Sequence, residues 1–407
     1  MNSANPGLTS NTFLKLGRWK AIPALFLLLL TQFALSQGWL PLVSFLIAGL
    51  GIIPIALLLS ESTEEIAEHS GSTIGAILTA LFGNCAEFII ALTALRKGLV
   101  DVVKASITGA ILSDLLLVTG LAMLIGGLRY SEQSFQPTMM RTNGAAMTLA
   151  VIALALPASL ISTSGIDNPQ DIHGLSITVA AILIAIYLLT LVFSLATHNH
   201  LFDPPIIIDK DNENVEAETS SWKTLRPWLI QLVVSTVALA YQSEQFVVAL
   251  EPATEQLGLS ALFTGVIIIP IIGGFSEYLP AARGALKNRM DLSLSLAMGS
   301  SLLVALFMAP VLVIIANFIG QPMDLDFASF EVIALGFSVF IVNLVGMDAK
   351  SNWLEGMLKP NITTTTTLNT SPLPELHQPL DSDTPTFQPL EKTTITLRNS
   401  GRETGPS

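Results

Sequence analysis

The sequence is poor in charged residues and in cysteine. Only 12% of its 407 residues are charged, whereas about 25% are charged in a typical soluble domain. This deficit excludes an ordinary soluble globular protein. The single cysteine, Cys85, excludes an intramolecular disulfide. Basic residues are also few, and the net charge of −12 argues against nucleic-acid binding and against a basic anchor on anionic lipids.

Long apolar runs take the place of the missing charge. Hydrophobic residues make up 51% of the chain, and the mean hydropathy is +0.63. Several runs exceed about 18 residues, the length of a transmembrane candidate. We therefore predict an all-α polytopic membrane protein with about ten transmembrane helices. The predicted spans are 21–38, 39–59, 73–95, 101–127, 143–161, 174–197, 226–248, 262–286, 291–318 and 328–347.

The distribution of positive charge predicts the orientation of these spans. Cytoplasmic loops of membrane proteins carry an excess of lysine and arginine. The chain before the first span contains Lys15, Arg18 and Lys20. Three loops predicted on the opposite side contain neither lysine nor arginine: 162–173, 249–261 and 319–327. Both termini are therefore expected in the cytoplasm.

Composition divides the chain into five predicted parts. Asp203 to Glu218 is an acidic stretch between two apolar halves, and the end of the chain is rich in threonine and proline. Such a terminal composition does not bury a core. The parts are an N-terminal cytoplasmic segment with the first helix (1–38), a first transmembrane repeat (39–197), an acidic cytoplasmic linker (198–225), a second, truncated repeat (226–358) and a disordered tail (359–407).

Two segments of the chain repeat each other. Residues 83–112 and 273–302 align without a gap at an offset of 190 residues. A repeat of this length is stronger evidence for the architecture of the protein than any single motif is. The copies begin in the third and the eighth predicted spans, so they are expected to cross the membrane in opposite directions. Inverted repeats of this kind are typical of secondary transporters, which bind their substrates near the membrane midplane.

A glutamate recurs at the same place in both copies. Glu87 follows the stretch GNCA, and Glu277 follows GGFS, each near the middle of an apolar span. A charge at the bilayer centre costs about 2.5–3.5 kcal/mol on insertion scales. A cation such as Ca²⁺, which takes about six to eight oxygens, offsets this cost. Protonation offsets it as well. The pair thus predicts a proton-coupled cation antiporter with a metal site at Glu87 and Glu277.

Other oxygen-bearing or small residues complete the candidate site. The glycines loosen the helices and expose carbonyl oxygens, although small residues also serve close helix packing. The additional candidates are Asn84, Ser106, Ser300, Ser301, Gly83 and Gly273. We expect no enzyme activity, no catalytic residue and no cofactor, because Ca²⁺ and H⁺ are transported substrates. The expected partners are cations, protons and the lipid bilayer, and the oligomeric state is left open.

The same residues resemble a known family. The blocks STIGAILTALFGNCAEFIIALTALRKG, VVKASITGAILSDLLLVTGLAMLIGGLR, GVIIIPIIGGFSEY, ALKNRMDLSLSLAMGSSLLVALFMAPVLV, IGQPMDLDF and MDAKSNWLEG resemble the cation/proton exchangers, the Ca²⁺/H⁺ antiporters of the cation/Ca²⁺ exchanger superfamily. The resemblance implies two inverted five-helix repeats after one extra helix, joined by an acidic segment. It also implies that Glu87 and Glu277 carry the cation and the protons.

Several residues depart from the family pattern. In the second copy, Gly274 replaces a usual asparagine and Tyr278 a usual histidine. In the first copy, Asp114 replaces an asparagine, so this repeat gains an acid that is a candidate third carboxylate of the site. The family continues into a last helix where this chain becomes rich in threonine and proline. Other replacements are Leu303 for glutamine, Ala110 for serine and Thr79 for asparagine.

These departures keep alternatives to Ca²⁺/H⁺ exchange open. One is Na⁺/H⁺ or K⁺/H⁺ exchange on the same fold. Another is a degenerate membrane protein that regulates a functional relative without transport. A passive channel is less favoured, because channels usually place their acids in rings around a pore. The short N-terminal segment favours a plasma membrane over a vacuolar membrane.

Overall fold

Helices account for nearly all of the part of the chain that the structure describes. The computed structural model describes residues 9–70, 72–164, 168–194, 222–347 and 349–358. Unbroken helices occupy most of the apolar runs. Their bounds are α1 (Thr9–Ser36), α2 (Pro41–His69), α7 (Pro137–Ser164), α8 (Pro169–Val192), α9 (Trp222–Leu257) and α15 (Ser329–Val345).

The remaining helical spans are interrupted. One kind of interruption is a bend, and the other is a short π-helical segment within a span. In the first half the elements are α3 (Ser72–Gly83), α4 (Cys85–Arg96), α5 (Val100–Leu112), a π-helical segment (Ser113–Val118) and α6 (Thr119–Arg129). In the second half they are α10 (Ala261–Phe263), a π-helical segment (Thr264–Ile268), α11 (Ile269–Gly273), α12 (Phe275–Leu286), α13 (Met290–Leu303), a π-helical segment (Val304–Met308) and α14 (Ala309–Phe318).

The predicted spans all coincide with helices or with bent helix pairs. Six described helices are long and apolar enough to cross a membrane, and eight result if each bent pair counts as one span. Two shorter apolar helices, Ala21–Ser36 and Ser329–Val345, complete the set. The count of ten transmembrane helices stays a prediction, because these assignments depend on length and composition.

Some helices continue beyond the predicted spans. Helix α2 continues to His69, whereas the predicted span ends at residue 59. Helix α9 begins at Trp222, inside the predicted linker, and ends at Leu257 rather than near 248. Glutamate favours helices, and a helix that already crosses an apolar layer extends into the polar layer at little cost. The rest of the linker, 198–221, lies outside the described residues.

The ends of several helices follow from local chemistry. Asn168 caps α8 by accepting a hydrogen bond from the Gln170 amide, which satisfies one of the free N–H groups at the helix start. The turn between α4 and α5 has Gly98 at φ +81°, and the turn between α12 and α13 has Asn288 at φ 56°. Glycine and asparagine tolerate this left-handed conformation best. The two turns lie at equivalent places in the sequence repeat.

The buried core runs along the helices that carry the repeat. In an apolar stretch of 18 residues within each of the ranges 100–129 and 290–318, 67% of the residues are buried. In the corresponding stretch within 170–192, 28% of the residues are buried. Helices α5 and α13 are therefore central, and α8 is peripheral. Gln242 of α9 adds a polar contact, donating hydrogen bonds to Thr31 of α1 and to the Ala48 carbonyl of α2.

The expectation of a purely helical fold needs one small correction. Two short antiparallel strands, β1 (Gln133–Ser134) and β2 (Lys350–Ser351), pair after α6 and after α15. Two residues are too few to produce an alternating sequence pattern. The predicted tail, 359–407, and the position at which a last helix would follow lie outside the described residues, as does the start of the N-terminal segment.

Candidate cation and proton site

Two helix breaks lie at equivalent places in the two copies of the repeat. Asn84 separates α3 from α4, and Gly274 separates α11 from α12, with a bend of 59° at the second break. Both residues have nearly the same backbone conformation, φ −100°, ψ 16° and φ −76°, ψ 1°. Glu87 and Glu277 each lie in the first turn of the helix that follows. Both glycine-containing stretches therefore contain a break in the helix.

A hydrogen-bonded chain links the first break to the second glutamate. Asn84 Nδ2 donates to Ser300 Oγ at 2.5 Å. Ser300 Oγ donates in turn to Glu277 Oε1 at 2.9 Å. Asn84 and Ser300 are buried, at 6% and 8% exposure. Residues that lie far apart in the sequence, at the start of α4, on α12 and on α13, thus meet at one place.

Asp114 belongs to the same cluster. It lies in the π-helical segment after α5 and is 1% exposed. Ser301 Oγ lies 3.4 Å from Asp114 Oδ2 and 3.1 Å from the Ala297 carbonyl oxygen, and its single proton is shared between these two acceptors. Asp114 also lies within electrostatic range of both Glu277 and Glu87. A π-helical segment is wider than an α-helix and frequently occurs at functional sites.

The Glu87 carboxylate lies against the break of the second half. A Cβ placed on Gly274 would lie 3.0 Å from Glu87 Oε1 and 2.9 Å from the Pro270 carbonyl oxygen. A Cβ placed on Gly273 would lie 3.0 Å from Glu87 Cγ. A larger side chain at either glycine would therefore push the carboxylate away. Gly273 thus contributes close approach to the site rather than a ligand side chain.

The carboxylates have buried oxygens with no protein donor. Among the described residues, no hydrogen-bond partner reaches either Glu87 oxygen, Asp114 Oδ1 or Glu277 Oε2. Arg283 is exposed and forms no salt bridge with Glu277 within the described ranges. An unpartnered buried polar atom costs about 1–3 kcal/mol, and more if charged. A bound cation or bound protons would satisfy these carboxylate oxygens.

The carboxylates do not form a complete metal cage by themselves. In the described part of the chain, no group of three His, Cys, Asp or Glu side chains is arranged to hold a metal ion alone. Ca²⁺ accepts hydroxyl, amide and main-chain carbonyl oxygens in addition to carboxylates. A Ca²⁺ ion bound here therefore needs oxygens such as those of Ser300, Asn84 or the Pro270 carbonyl.

Two predicted residues of the site, Ser106 and Gly83, have no observed contact with its carboxylates. Ser106 Oγ donates to the Val103 carbonyl of its own helix at 2.8 Å and is buried, so its hydroxyl proton is already engaged. A Cβ placed on Gly83 would meet nothing within 4 Å. Close helix packing therefore does not require a glycine at this position.

Sequence reasoning missed two hydroxyl groups beside the carboxylates. Tyr278 was noted only as a replacement for histidine, and Ser113 was not selected at all. Tyr278 Oη lies 2.8 Å from Ser113 Oγ and 3.1 Å from the Pro270 carbonyl oxygen. Each residue is the chain neighbour of a site acid, Asp114 or Glu277, and this adjacency was the available signal.

The two halves of the site differ in polarity. The repeat alignment pairs Asn84 with Gly274 and Ser300 with Ala110. The hydrogen-bonded chain that reaches Glu277 therefore has no counterpart at Glu87. The alignment also pairs Asp114 with Val304, Ser301 with Ile111, Ser113 with Leu303 and Tyr278 with Phe88. Most polar side chains of the site are thus on the side of Glu277 and Asp114.

Comparison with characterised sequences identifies the family. A family model described as sodium/calcium exchanger protein matches residues 40–196 and 227–359. A "Ca(2+)/H(+) antiporter" of Aphanothece halophytica is 48% identical over 345 residues, covering 82% of this chain and 91% of that protein. A protein of the same description from Synechocystis sp. is 47% identical over 347 residues, covering 82% of this chain and 93% of that protein.

Two solved structures resemble this chain in fold. Native YfkE matches with a TM-score of 0.73 and 31% identity, covering 86% of this chain and 98% of YfkE. A structure described as H⁺/Ca²⁺ exchanger CAX matches with a TM-score of 0.65, covering 87% of this chain and 92% of that chain, at 15% identity. The second likeness concerns the fold alone. By sequence and by fold, this chain belongs to the sodium/calcium exchanger protein family and is a multi-pass integral membrane protein.

Proposed function

We propose that this protein exchanges Ca²⁺ for protons across a membrane, with Glu87 and Glu277 as the carboxylates that bind both. The observation that carries the proposal is the set of buried carboxylate oxygens without protein donors at the two helix breaks. A Ca²⁺ ion or protons satisfy these oxygens in turn, so binding of one displaces the other. The names of the relatives from Aphanothece and Synechocystis agree with this function.

Asp114 acts as a third carboxylate of the site. Its contact with Ser301 and its proximity to Glu87 and Glu277 support this role. Asn84 and Ser300 orient Glu277, and main-chain oxygens near Gly274 complete the coordination. Glu87, which has no hydrogen-bond partner among the described residues, is free to move towards an arriving ion.

Exchange requires that the site open to one side at a time, as expected for inverted repeats. Gly109 and Gly299 are equivalent positions in the repeat, yet their surroundings differ. A Cβ on Gly109 would lie 2.5 Å from Val266 Cα, whereas a Cβ on Gly299 would meet nothing within 4 Å. This difference supports a state in which one side of the site is closed and the other is open. On the proposed topology, the open side faces the cytoplasm.

The proposed organisation retains the five parts of the chain, with the repeats at 39–197 and 226–358. The breaks at Asn84 and Gly274 and the left-handed turns at Gly98 and Asn288 recur at the offset of the sequence repeat, which supports two related halves. We place the protein in the plasma membrane. In this proposal both termini lie in the cytoplasm, because the positive charges favour that orientation.

The test is ion-evoked proton release from proteoliposomes that contain the purified full chain and an acidic interior. Ca²⁺, Mg²⁺, Mn²⁺, Na⁺ and K⁺ are added in turn. We expect Ca²⁺ to dissipate the gradient in the wild type and not in Glu87→Gln. Glu132→Gln is the matched control, because Glu132 is exposed and pairs with Lys350 away from the site.

Other outcomes decide between the alternatives. Dissipation by Na⁺ or K⁺ alone would preserve the mechanism and reject Ca²⁺ as the substrate. Absence of dissipation by every cation, from folded and inserted protein, would reject exchange and support a regulatory membrane protein. Equal activity of the wild type and Glu87→Gln would reject the role of Glu87.

A further inference from the structure

A histidine of the first half of the chain is bonded to the second half, far from the exchange site in sequence. His173, in α8, places Nδ1 2.8 Å from Asp324 Oδ1 and Nε2 3.2 Å from Asn317 Oδ1. Asn317 lies near the end of α14, and Asp324 lies in the segment between α14 and α15. His173 and Asp324 belong to the predicted loops 162–173 and 319–327, which contain neither lysine nor arginine. Both are therefore predicted on the side opposite the cytoplasm.

A second contact fastens the same segment to the same helix. Ser176, about one turn after His173 in α8, accepts a hydrogen bond from the Leu325 amide at 3.0 Å. Ser176 and Leu325 are fully buried, whereas the side chains of His173 and Asp324 are 24% and 27% exposed. The Ser176 contact contains no titratable group and does not depend on pH. The histidine contact is reached by water, so its proton can exchange with the medium.

Asp324 is the charged group that faces His173. It is the carboxylate within electrostatic range of the imidazole. Helix α8 packs against α7, α14 and the π-helical segment that precedes α14. The last two contain no titratable side chain, and α7 contains only Arg141, near the other end of that helix. On α8 itself, Asp171 is exposed and bonded to Asn168. The strength of the contact therefore depends on the charge of His173 and Asp324.

Protonation changes the bond between an imidazole and a carboxylate. A neutral His173 donates one hydrogen to Asp324, whereas a protonated His173 makes a charge-assisted bond, which is roughly twice as strong. Asn317 presents its amide oxygen to the protonated ring, or its amide nitrogen to the neutral ring after a flip, so this bond exists in either form. Histidine changes its charge between about pH 5 and pH 8. A proton on His173 therefore tightens the link between α8 and the segment after α14.

We propose that His173 and Asp324 form a proton-operated latch that holds the protein closed on the side opposite the cytoplasm. The halves of inverted-repeat transporters move against each other, so a bond between the halves on the closed side opposes the opening of that side. The close approach of Gly109 to Val266 supports the same side as the closed one. The latch is tight at acidic pH and loosens as the pH on that side rises. This inference rests on the proposed exchange function and adds a regulation by exterior pH.

Loss of the charged pair is expected to matter only when the exterior is acidic. His173→Gln keeps a donor for Asp324 without the charge, and Asp324→Asn keeps an acceptor without the charge. Each variant should take up Ca²⁺ up to about fivefold faster than the wild type at acidic exterior pH, the effect of a partly exposed ion pair. At alkaline exterior pH the wild-type histidine is neutral, and the rates of all three proteins should agree.

Everted membrane vesicles that contain the full chain provide the test, because their lumen corresponds to the exterior side. The initial rate of Ca²⁺ uptake is measured at lumenal pH values between about 5 and 8, with the outer pH held constant. Asp326→Asn is the matched control. It removes the same charge from the same segment, and Asp326 forms no hydrogen bond or salt bridge with His173 in the described chain. Size-exclusion chromatography selects folded variants, and if His173→Gln does not fold, Asp324→Asn carries the test.

The outcomes for the two proposals are distinct. Wild-type vesicles without Ca²⁺ uptake would reject the proposed function itself. A gain confined to acidic lumenal pH in His173→Gln and in Asp324→Asn, and no larger in the double variant, supports the latch. Wild-type uptake with any other profile in the folded variants, such as an unchanged rate or the same change at every pH, would overturn the latch alone. An equal gain in Asp326→Asn would overturn it as well.

Discussion

Asn84 donates a hydrogen bond to Ser300 at 2.5 Å, and their counterparts in the repeat, Gly274 and Ala110, have no side chains that reproduce this bond. Ser300 in turn donates a hydrogen bond to Glu277. Glu277 is consequently held in place by neutral donors, whereas Glu87 has none among the described residues. The two glutamates are equivalent in sequence but not in environment.

Ser300→Ala is expected to weaken Ca²⁺ binding without abolishing exchange. The change removes the donor to Glu277 Oε1 and the acceptor of Asn84 Nδ2. Loss of these two bonds, worth about 1 kcal/mol net each, raises the KM for Ca²⁺ about thirtyfold. Ca²⁺ uptake in proteoliposomes measures this change. Ser295→Ala is the control on the same helix, since its hydroxyl contacts Met139. An equal KM in both variants would contradict the bridging role of Ser300.

Asp114→Asn is expected to alter cation preference and proton coupling. Asparagine retains an oxygen that accepts from Ser301, so the fold is preserved. It removes one of three negative charges that attract the cation. The KM for Ca²⁺ should rise several-fold, and the ratio of proton to Ca²⁺ flux should change. Simultaneous pH and Ca²⁺ recordings measure both quantities.

The control for Asp114 is Asp171→Asn, which alters an exposed carboxylate bonded to Asn168 at the start of α8. An Asp114→Asn variant with unchanged KM, flux ratio and ion preference would show that Asp114 is not part of the site.

Gly109→Ala is expected to destabilise the fold, whereas Gly299→Ala is not. A methyl group at Gly109 would lie 2.5 Å from both Val266 Cα and Val266 O, and these are main-chain atoms that cannot rotate away. A methyl group at Gly299 would meet nothing within 4 Å. Overpacking costs about 1–3 kcal/mol. Thermal unfolding in detergent compares the variants, and similar melting temperatures would contradict the close packing of α5 on residues 264–268.

Gln242→Leu is expected to lower stability by about 1–3 kcal/mol. Gln242 is fully buried, and its amide joins α1 to α2 through Thr31 and the Ala48 carbonyl. Leucine leaves that carbonyl without its side-chain donor. Gln256→Leu is the control on the same helix, because Gln256 makes one long contact with the Leu42 amide. Equal losses of melting temperature would show that the buried bonds contribute nothing specific.

The sequence alone located the helices and the central acids. Apolar runs that are longer than those in helices of soluble proteins mark where a membrane protein crosses the bilayer. Each predicted span coincides with a helix or with a bent helix pair. The repeated stretches GNCAE and GGFSE also predicted the breaks, because glycine and asparagine interrupt an apolar helix more readily than the surrounding residues do. Helix ends in the polar layers were less well predicted, since hydropathy falls there while the helix continues.

Only the tertiary structure decided which polar side chains meet. Ser300 and Ser301 were selected from the sequence, yet their separate partners, Glu277 and Asp114, depend on how α13 packs against α12 and the π-helical segment. Hydrogen bonds between residues this far apart in sequence are set by helix packing, which no local pattern encodes. For the same reason the sequence identifies Tyr278 only as a replacement for histidine, whereas the fold places its hydroxyl beside Ser113 and the Pro270 carbonyl. The sequence thus identifies the acids of the site, and the packing of the helices determines which side chains lie next to those acids.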